Sequence, residues 1–205
     1  MIGPKEKRER TLGVRLGIKG DRCQGAKCVM VRRPNRPGVH GASRRRKTMS
    51  DFGRQLQEKQ KFKFTYGLDD RNLLRIFKEA AKSKGDSATK LLELLERRLD
   101  SVLFRAGFAP SRGAARQLVV QGHIMVNGTR LRSPGYTVGE NDVITLRTES
   151  SAKTLVKDTK ERMLRTTAPD WLMVDPDKGE GKVLGMPKVF DIPFEINLLV
   201  ESLSK

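Results

Sequence analysis

The chain has 205 residues, 37% of them hydrophobic and 32% charged, and its 42 Lys and Arg outnumber 24 Asp and Glu to leave a formal net charge of +18. That length allows one or two domains with a modest core, and so large a positive excess favours a polyanion partner, because neutralising phosphates releases condensed counterions. No apolar run approaches the ~18 residues of a membrane-spanning helix, the N-terminus has no apolar stretch of a secretory signal, and two cysteines are too few for a disulfide scaffold, so a reducing, cytoplasmic setting is expected.

In residues 1–50 fifteen Lys and Arg meet three acids, so this quarter carries +12 of the excess, whereas residues 148–205 are close to neutral. The asymmetry suggests a nucleic-acid face at one end and a protein-facing surface at the other. Glycine and proline recur through residues 1–50 without any sustained hydrophobic period, which predicts a basic, irregular arm that orders on its partner. Arg44, Arg45, Arg46 and Lys47 form its densest block.

Ser50 is placed to cap a helix running to about Tyr66, with Gly67 as its stop. A second helix is expected over Arg71 to Lys82, where Leu74, Phe77 and Ala81 recur at helical spacing. Leu91, Leu92, Leu95, Leu99, Val102, Leu103 and Ala106 then hold one apolar stripe, as a single helix or as two broken near Glu96, and Gly107 closes it. Ser111 caps a helix of about ten residues ending at Gly122, although Ala114 stands where a capping box needs Glu or Gln. Ile124 and Val126 alternate into Asn127-Gly128, the signature of a type I′ hairpin. A strand pair is expected at Tyr136–Val138 and Val143–Leu146, across a turn at residues 139–142. Beyond it the pattern predicts a helix from Ser150 to about Arg165, a Gly-rich loop at 179–185, a strand-like run between Pro187 and Pro193, and a closing segment at 195–200 that fits helix or strand.

The residues suited to chemistry are cationic and amide side chains on the central helices and hairpin. Arg112 and Arg116 stand one turn apart, as do Gln117 and Gln121, and Arg98 and Arg105 share a face of the preceding helix with Arg97 beside them. Ser111 puts backbone N–H groups at a helix start, where phosphate is favoured, and His123, Asn127 and Arg130 extend the row onto the hairpin. Arginine forks suit phosphate oxygens and stack on unpaired bases. Two histidines, His40 and His123, supply general acid–base chemistry poorly, and the chain holds no reaction centre of familiar spacing. Trp171 and Phe190 are read as core anchors rather than as base-stacking aromatics.

The run RRLDSVLFRAGFAPSRGAARQLVVQGHIMVNG resembles the S-four RNA-binding domain, whose pattern is R-L-D, R-x-G-F, S-R-x-x-A-R-Q-L-V and G-H-I-x-V-N-G. Arg33-Pro34 with Pro37-Gly38-Val39-His40-Gly41, the block from Ser50 to Lys61 (SDFGRQLQEKQK) and the closing Leu199-Val200-Glu201-Ser202 extend the likeness in order along nearly the whole chain. Together they resemble the family of bacterial-type small-subunit ribosomal protein S four. The resemblance implies an α+β protein: a mostly helical domain built from the N- and C-terminal portions, with an inserted compact module of two helices and a small antiparallel sheet. The expected boundaries are 1–50 for the arm, 51–96 for the helical domain, 97–160 for the RNA-binding module and 161–205 for a segment packing back on the helical domain. It further implies a structural constituent of the small ribosomal subunit that is no enzyme and is a primary binder of the 5′ domain of its RNA. Arg44, Arg45, Arg46 and Lys47 would then line the mRNA entry path, other surfaces would meet the neighbouring proteins S five and S three, and His40, Lys59 and Lys61 would join the RNA-facing set. No membrane and no small-molecule substrate is implied. The alternative reading is a non-ribosomal RNA-binding or RNA-modification accessory factor. Arg98-Leu99-Asp100 also resembles the catalytic R-L-D of pseudouridine synthases, but Asp100 falls within a leucine-rich helix and no β-rich catalytic domain follows.

Many members of that family bind zinc through Cys-x2-Cys and Cys-x4-Cys pairs. Cys23 and Cys28 keep the second spacing, while Glu6 and Glu9 stand where the first pair would be. Structural zinc prefers thiolate and imidazole, so the two cysteines are read as the remnant of such a site, buried as small apolar side chains, and no cofactor is expected.

Overall fold

The computed structural model describes residues 4–42, 49–83, 85–147, 158–188, 190 and 194–204. The chain divides into two units, Met1–Leu91 with Asp191–Lys205, and Leu92–Phe190. The α+β class expected from the sequence is the one observed. Arg44, Arg45, Arg46 and Lys47, and most of the helix expected after Ser150, lie outside the described residues.

In the first unit the expected irregular arm is corrected by three short helices, α1 (Lys5–Leu12), α2 (Asp21–Gln24) and α3 (Val29–Arg32), and a 3-10 turn at Val39–Ala42. They order because Leu12, Cys23 and Cys28 bury small apolar side chains and Glu9 receives the Leu16 and Ile18 N–H groups on one carboxylate oxygen. Gln57 donates to the Leu12 carbonyl at 2.9 Å and joins α1 to α4 (Asp51–Thr65). Ser50 caps α4 as expected, its hydroxyl accepting the Gly53 N–H. Asp69 caps α5 (Asp70–Lys82). The apolar face of α5 is shifted by one residue from the sequence reading, because Leu73, Ile76, Phe77 and Ala80 are buried while Leu74 and Ala81 face solvent. The closing segment, left open between helix and strand, is a helix, α10 (Ile196–Ser204), and it packs on α4. Fully buried Phe62, Leu73 and Leu199 form this core, with the Phe62 and Phe194 rings edge to face at 5.2 Å. Each fully buried leucine contributes roughly 1.5–3 kcal/mol.

The apolar stripe of residues 91–106 is two helices, α6 (Ser87–Glu96) and α7 (Leu99–Arg105). The break falls at Arg97–Arg98, where Arg98 is extended and the α7 N–H groups of Leu99 and Asp100 go to the Tyr136 and Pro134 carbonyls. That pairing also corrects the expected strand at Tyr136–Val138: Thr137 bridges Arg98, and the Val138 N–H donates to the Arg97 carbonyl, so the segment pairs with the α6–α7 junction and not with Val143–Leu146. After Gly107, at φ +79°, Ser111 caps α8 (Arg112–Val120). Strands β1 (Ile124–Val126) and β2 (Thr129–Leu131) follow, joined by Asn127 at φ +50° and Gly128 at φ +76°, the two left-handed residues of a type I′ turn.

Strand β3 (Val143–Leu146) pairs with β1 and, on its other side, with β5 (Glu180–Val183), which pairs with β4 (Leu172–Asp175) in an antiparallel sheet of order β2-β1-β3-β5-β4. The segment expected as 161–205 is therefore split between the units. Residues 172–183 complete this sheet because Val143, Ile144 and Thr145 offer their free edge to Lys182, Gly181 and Glu180. Helix α9 (Thr159–Arg165) buries Met163 in the same core, where Leu99, Leu103, Phe108, Leu118, Ile124 and Ile144 are fully enclosed and Trp171 packs from the rim. No helix among the described residues is long and apolar enough to cross a membrane.

Candidate nucleic-acid interface

The arginines of the second unit divide into a braced set and an exposed set. Glu96, only 2% exposed, takes both the Arg105 fork, at 3.0 and 3.1 Å, and the Arg112 guanidinium at 3.1 Å. The Arg112 guanidinium also lies 4.7 Å over the Phe104 ring. Arg98 is 6% exposed and grips Asp100 with two parallel bonds of 3.1 and 2.9 Å, while Arg97 meets Glu93 at 3.3 Å and the Val138 carbonyl at 3.0 Å. Bidentate arginine–carboxylate pairs of this kind fix geometry as well as charge. These contacts give four of the arginines expected to meet phosphate partners within the chain. Arg98 and Asp100 are buried together, Arg105 and Arg112 brace α6 against α7 and α8, and Arg97 ties the α6–α7 junction to the loop at Val138.

Two further expected residues are buried. Ser111 is 7% exposed, and its hydroxyl accepts the Ala114 N–H at the start of α8. His123, also 7% exposed, lies 3.0 Å from the Gln121 side-chain oxygen. In the first unit Lys61 pairs with Glu58 and sits largely covered, and Lys59 stands 4.0 Å from Asp70. His40 is exposed on the 3-10 turn.

What remains open to solvent is a compact polar and cationic set on α8 and the β1–β2 hairpin: Arg116, Gln117, Gln121, Asn127 and Arg130. Arg130 reaches back from β2 to the Gly122 and Gln121 carbonyls at 3.0 and 3.2 Å, satisfying orphan acceptors at the C-terminus of α8 where a cation is favoured. The hairpin and the helix are thereby joined as one body. Arg132 is exposed beside this set and was missed in the sequence. It follows β2 directly, two residues after Arg130. Further exposed cations lie on the first unit at Arg15, Arg32, Arg33 and Arg36.

A zinc ion does not suit the residues present near Cys23. Burial pushes the Cys23 thiol up, with the nearby Glu9 and Cys28 adding to it. Glu6 is engaged by Lys19 and Arg22, and Glu9 by two backbone N–H groups. Among the described residues no three His, Cys, Asp or Glu side chains are grouped to hold a metal.

Known families match the same divisions of the chain. A family model for the S4 domain covers residues 97–144, and one for the ribosomal protein S4/S9 N-terminal domain covers residues 1–96. The small ribosomal subunit protein uS4 of Thermoanaerobacter sp. is 43% identical over 205 residues, covering 99% of this chain and 98% of its own length. That of Caldicellulosiruptor bescii is 44% identical over 206 residues, covering 100% and 98%, and uS4A of Symbiobacterium thermophilum is 42% identical at 99% and 98%. With the S4 domain falling on the exposed cationic module and the identity running from end to end, the chain belongs to the small ribosomal subunit protein uS4 family.

Proposed function

We infer that this chain is a structural constituent of the small ribosomal subunit that binds its RNA and catalyses no reaction. The observation that carries the reading is the end-to-end identity to uS4 proteins, and the exposed set Arg116, Gln117, Gln121, Arg130 and Arg132 on a braced scaffold supplies a physical mechanism. The buried carboxylates of the scaffold, Glu96 and Asp100, are engaged in ion pairs. Cations held on a rigid surface recognise a pre-shaped phosphate backbone, and amide side chains add contacts to ribose and base edges.

The finer assignment is to the 5′ domain of the small-subunit RNA, bound early in assembly, with the basic block Arg44, Arg45, Arg46 and Lys47 at the mRNA entry path. A different surface suits a protein neighbour. Between α4 and α10 the first unit has a groove of about 700 Å³ lined by four acids, Asp51, Glu58, Glu195 and Glu201, and by Arg54, Gln55, Gln57, Met49 and Leu198, and exposed Phe52 and Leu56 stand on the same helix α4. An acidic groove repels phosphate and accepts Lys or Arg, so it is assigned to a basic segment of protein S five; protein S three is the second neighbour proposed.

Binding of the purified protein to a 5′-domain RNA fragment tests the reading. Affinity falls steeply with salt, and Arg116→Ala with Arg132→Ala makes the logarithmic salt slope shallower by roughly 0.9 for each phosphate no longer neutralised, while leaving the fold intact. A slope unchanged by both substitutions removes α8 and the hairpin from the interface. Sedimentation of a lysate away from the small subunit would favour the accessory-factor reading.

A further inference from the structure

We propose that Asn127 is a covalent modification site of the free protein, where the side-chain amide is converted to a carboxylate at a rate set by Asp142. The chemistry needs only Asn127, Gly128 and water. The Gly128 backbone nitrogen attacks the Asn127 side-chain carbonyl carbon, the new C–N bond closes a five-membered succinimide, and the bond to Nδ2 breaks. The proton given up by the Gly128 nitrogen passes through solvent to the departing group, which leaves as ammonia. Water then opens the ring on either side, leaving an aspartate or an isoaspartate in place of the asparagine.

The hairpin tip presents this pair in the open. Asn127 and Gly128 are both exposed, Gly128 carries no side chain to hinder approach to its nitrogen, and no atom beyond its chain neighbours lies within 4 Å of where a Gly128 Cβ would stand. A clamp opposes the reaction. Asn127 Nδ2 donates to Asp142 Oδ1 at 2.7 Å, and the Val143 N–H donates to Asn127 Oδ1 at 2.9 Å. Asp142 is itself fixed, its other oxygen receiving the Gly139 N–H at 2.7 Å. Turning the side-chain carbonyl toward Gly128 breaks both amide hydrogen bonds, one of them to a charged acceptor. The product then inverts the role of Asp142. A carboxylate at 127 replaces a donor with an acceptor at hydrogen-bond distance from a second carboxylate, and two like charges so close cannot both stay ionised and paired. The side-chain bond between residue 127 and Asp142 is lost for good, leaving the backbone bond from the 127 N–H to the Val143 carbonyl, and a negative charge enters the face assigned to RNA, a consequence that rests on the function proposed above.

Peptide mass spectrometry of full-length protein, incubated free of RNA at mildly alkaline pH, reads the conversion as a gain of one mass unit on the peptide holding Asn127. Native wild-type protein converts slowly, Asp142→Ala about tenfold faster or more in native buffer, and both at one common fast rate in concentrated urea. Equal native rates for wild type and Asp142→Ala, or no conversion at Asn127 in urea, would overturn the proposal. Should Asp142→Ala lose its fold, the charge test stands independently. Asn127→Asp lowers the thermal midpoint and speeds hydrogen exchange at the Val143 amide, and Asn127→Asp with Asp142→Asn restores both, because a donor and an acceptor again face each other; failure of that rescue refutes the clamp. None of these readouts involves RNA, so their outcome is separate from the RNA-binding reading. An RNA fragment that binds yet leaves the conversion rate unchanged would move Asn127 off the interface without touching the clamp.

Discussion

Glu96 decides which arginines of this protein can meet a ligand. Enclosed at 2% exposure, it holds Arg105 and Arg112 from separate helices, and both guanidinium groups would lose their shared carboxylate in a partly buried site without it. Breaking a buried ionic cluster by removing its shared partner costs about 3–5 kcal/mol, far more than the cluster adds relative to an apolar replacement. Glu96→Ala is therefore expected to destabilise the second unit by about 3 kcal/mol in urea unfolding, whereas Arg116→Ala, at an exposed position, stays within about 0.5 kcal/mol of wild type. Equal effects would mean that the triad braces nothing. Spacing along α8 put Arg112 and Arg116 on one face, yet Arg112 is largely covered over Phe104 and bonded to Glu96 while Arg116 is exposed. Nothing local marks that difference: the partner carboxylate is 16 residues away, and charge rows on helices look the same whether solvated or locked.

Elements whose ends are fixed by their own neighbours were readable, and those fixed by distant backbone were not. Ser50 and Ser111 cap α4 and α8 through bonds three residues away, and Asn127-Gly128 dictates its turn by needing positive φ. The start of α7 is held by carbonyls of Pro134 and Tyr136, more than thirty residues on, so a break near Glu96 could be placed but not decided against one continuous helix. Strand pairing of residues 172–183 with β3 had the same obstacle. The acidic caps carry a pH signature. Asp69 is held below the usual carboxylate range chiefly by the Asn72 N–H, and Asp86 at the start of α6 chiefly by the Thr89 hydroxyl and N–H. A carboxylate with a depressed folded value contributes fully above its unfolded value and loses that contribution as pH falls through the folded one. The gap in thermal midpoint between wild type and Asp86→Ala is accordingly widest at neutral pH and closes on acidification; a gap constant down to strong acid would contradict the ionised cap. The joint between α8 and the hairpin gives a second element-level prediction. Gly122 sits at φ +72°, and a Cβ there would stand 2.3 Å from Arg130 Nε. Gly122→Ala combines left-handed strain of about 1–2 kcal/mol with displacement of Arg130 from the helix end. It is expected to lower both stability and RNA affinity, while Gly25→Ala, which meets nothing within 4 Å, leaves both nearly unchanged.

Across the whole molecule the charge is arranged by partner. The +12 of residues 1–50, the exposed arginines of the S4 domain and the acidic groove beside α10 are three surfaces of different sign and placement in the sequence. The first two are both cationic, and salt dependence can tell which of them holds the ribosomal RNA, because each neutralised phosphate releases its own counterions. Replacing Arg44, Arg45, Arg46 and Lys47 with Ala removes four of the +18 charges, twice what Arg116→Ala with Arg132→Ala removes. If total charge alone drove binding, the four-residue variant would flatten the salt slope for a 5′-domain RNA fragment about twice as much. On the assignment made above the order reverses. The Arg116 and Arg132 pair flattens that slope by roughly two phosphate equivalents, at about 0.9 each, and the basic block changes it little, while capture of a single-stranded RNA by reconstituted small subunits depends on the block and not on the pair. The larger effect appearing with the block on the 5′-domain fragment would move the ribosomal RNA site to the N-terminal segment and leave the S4 module in a secondary role.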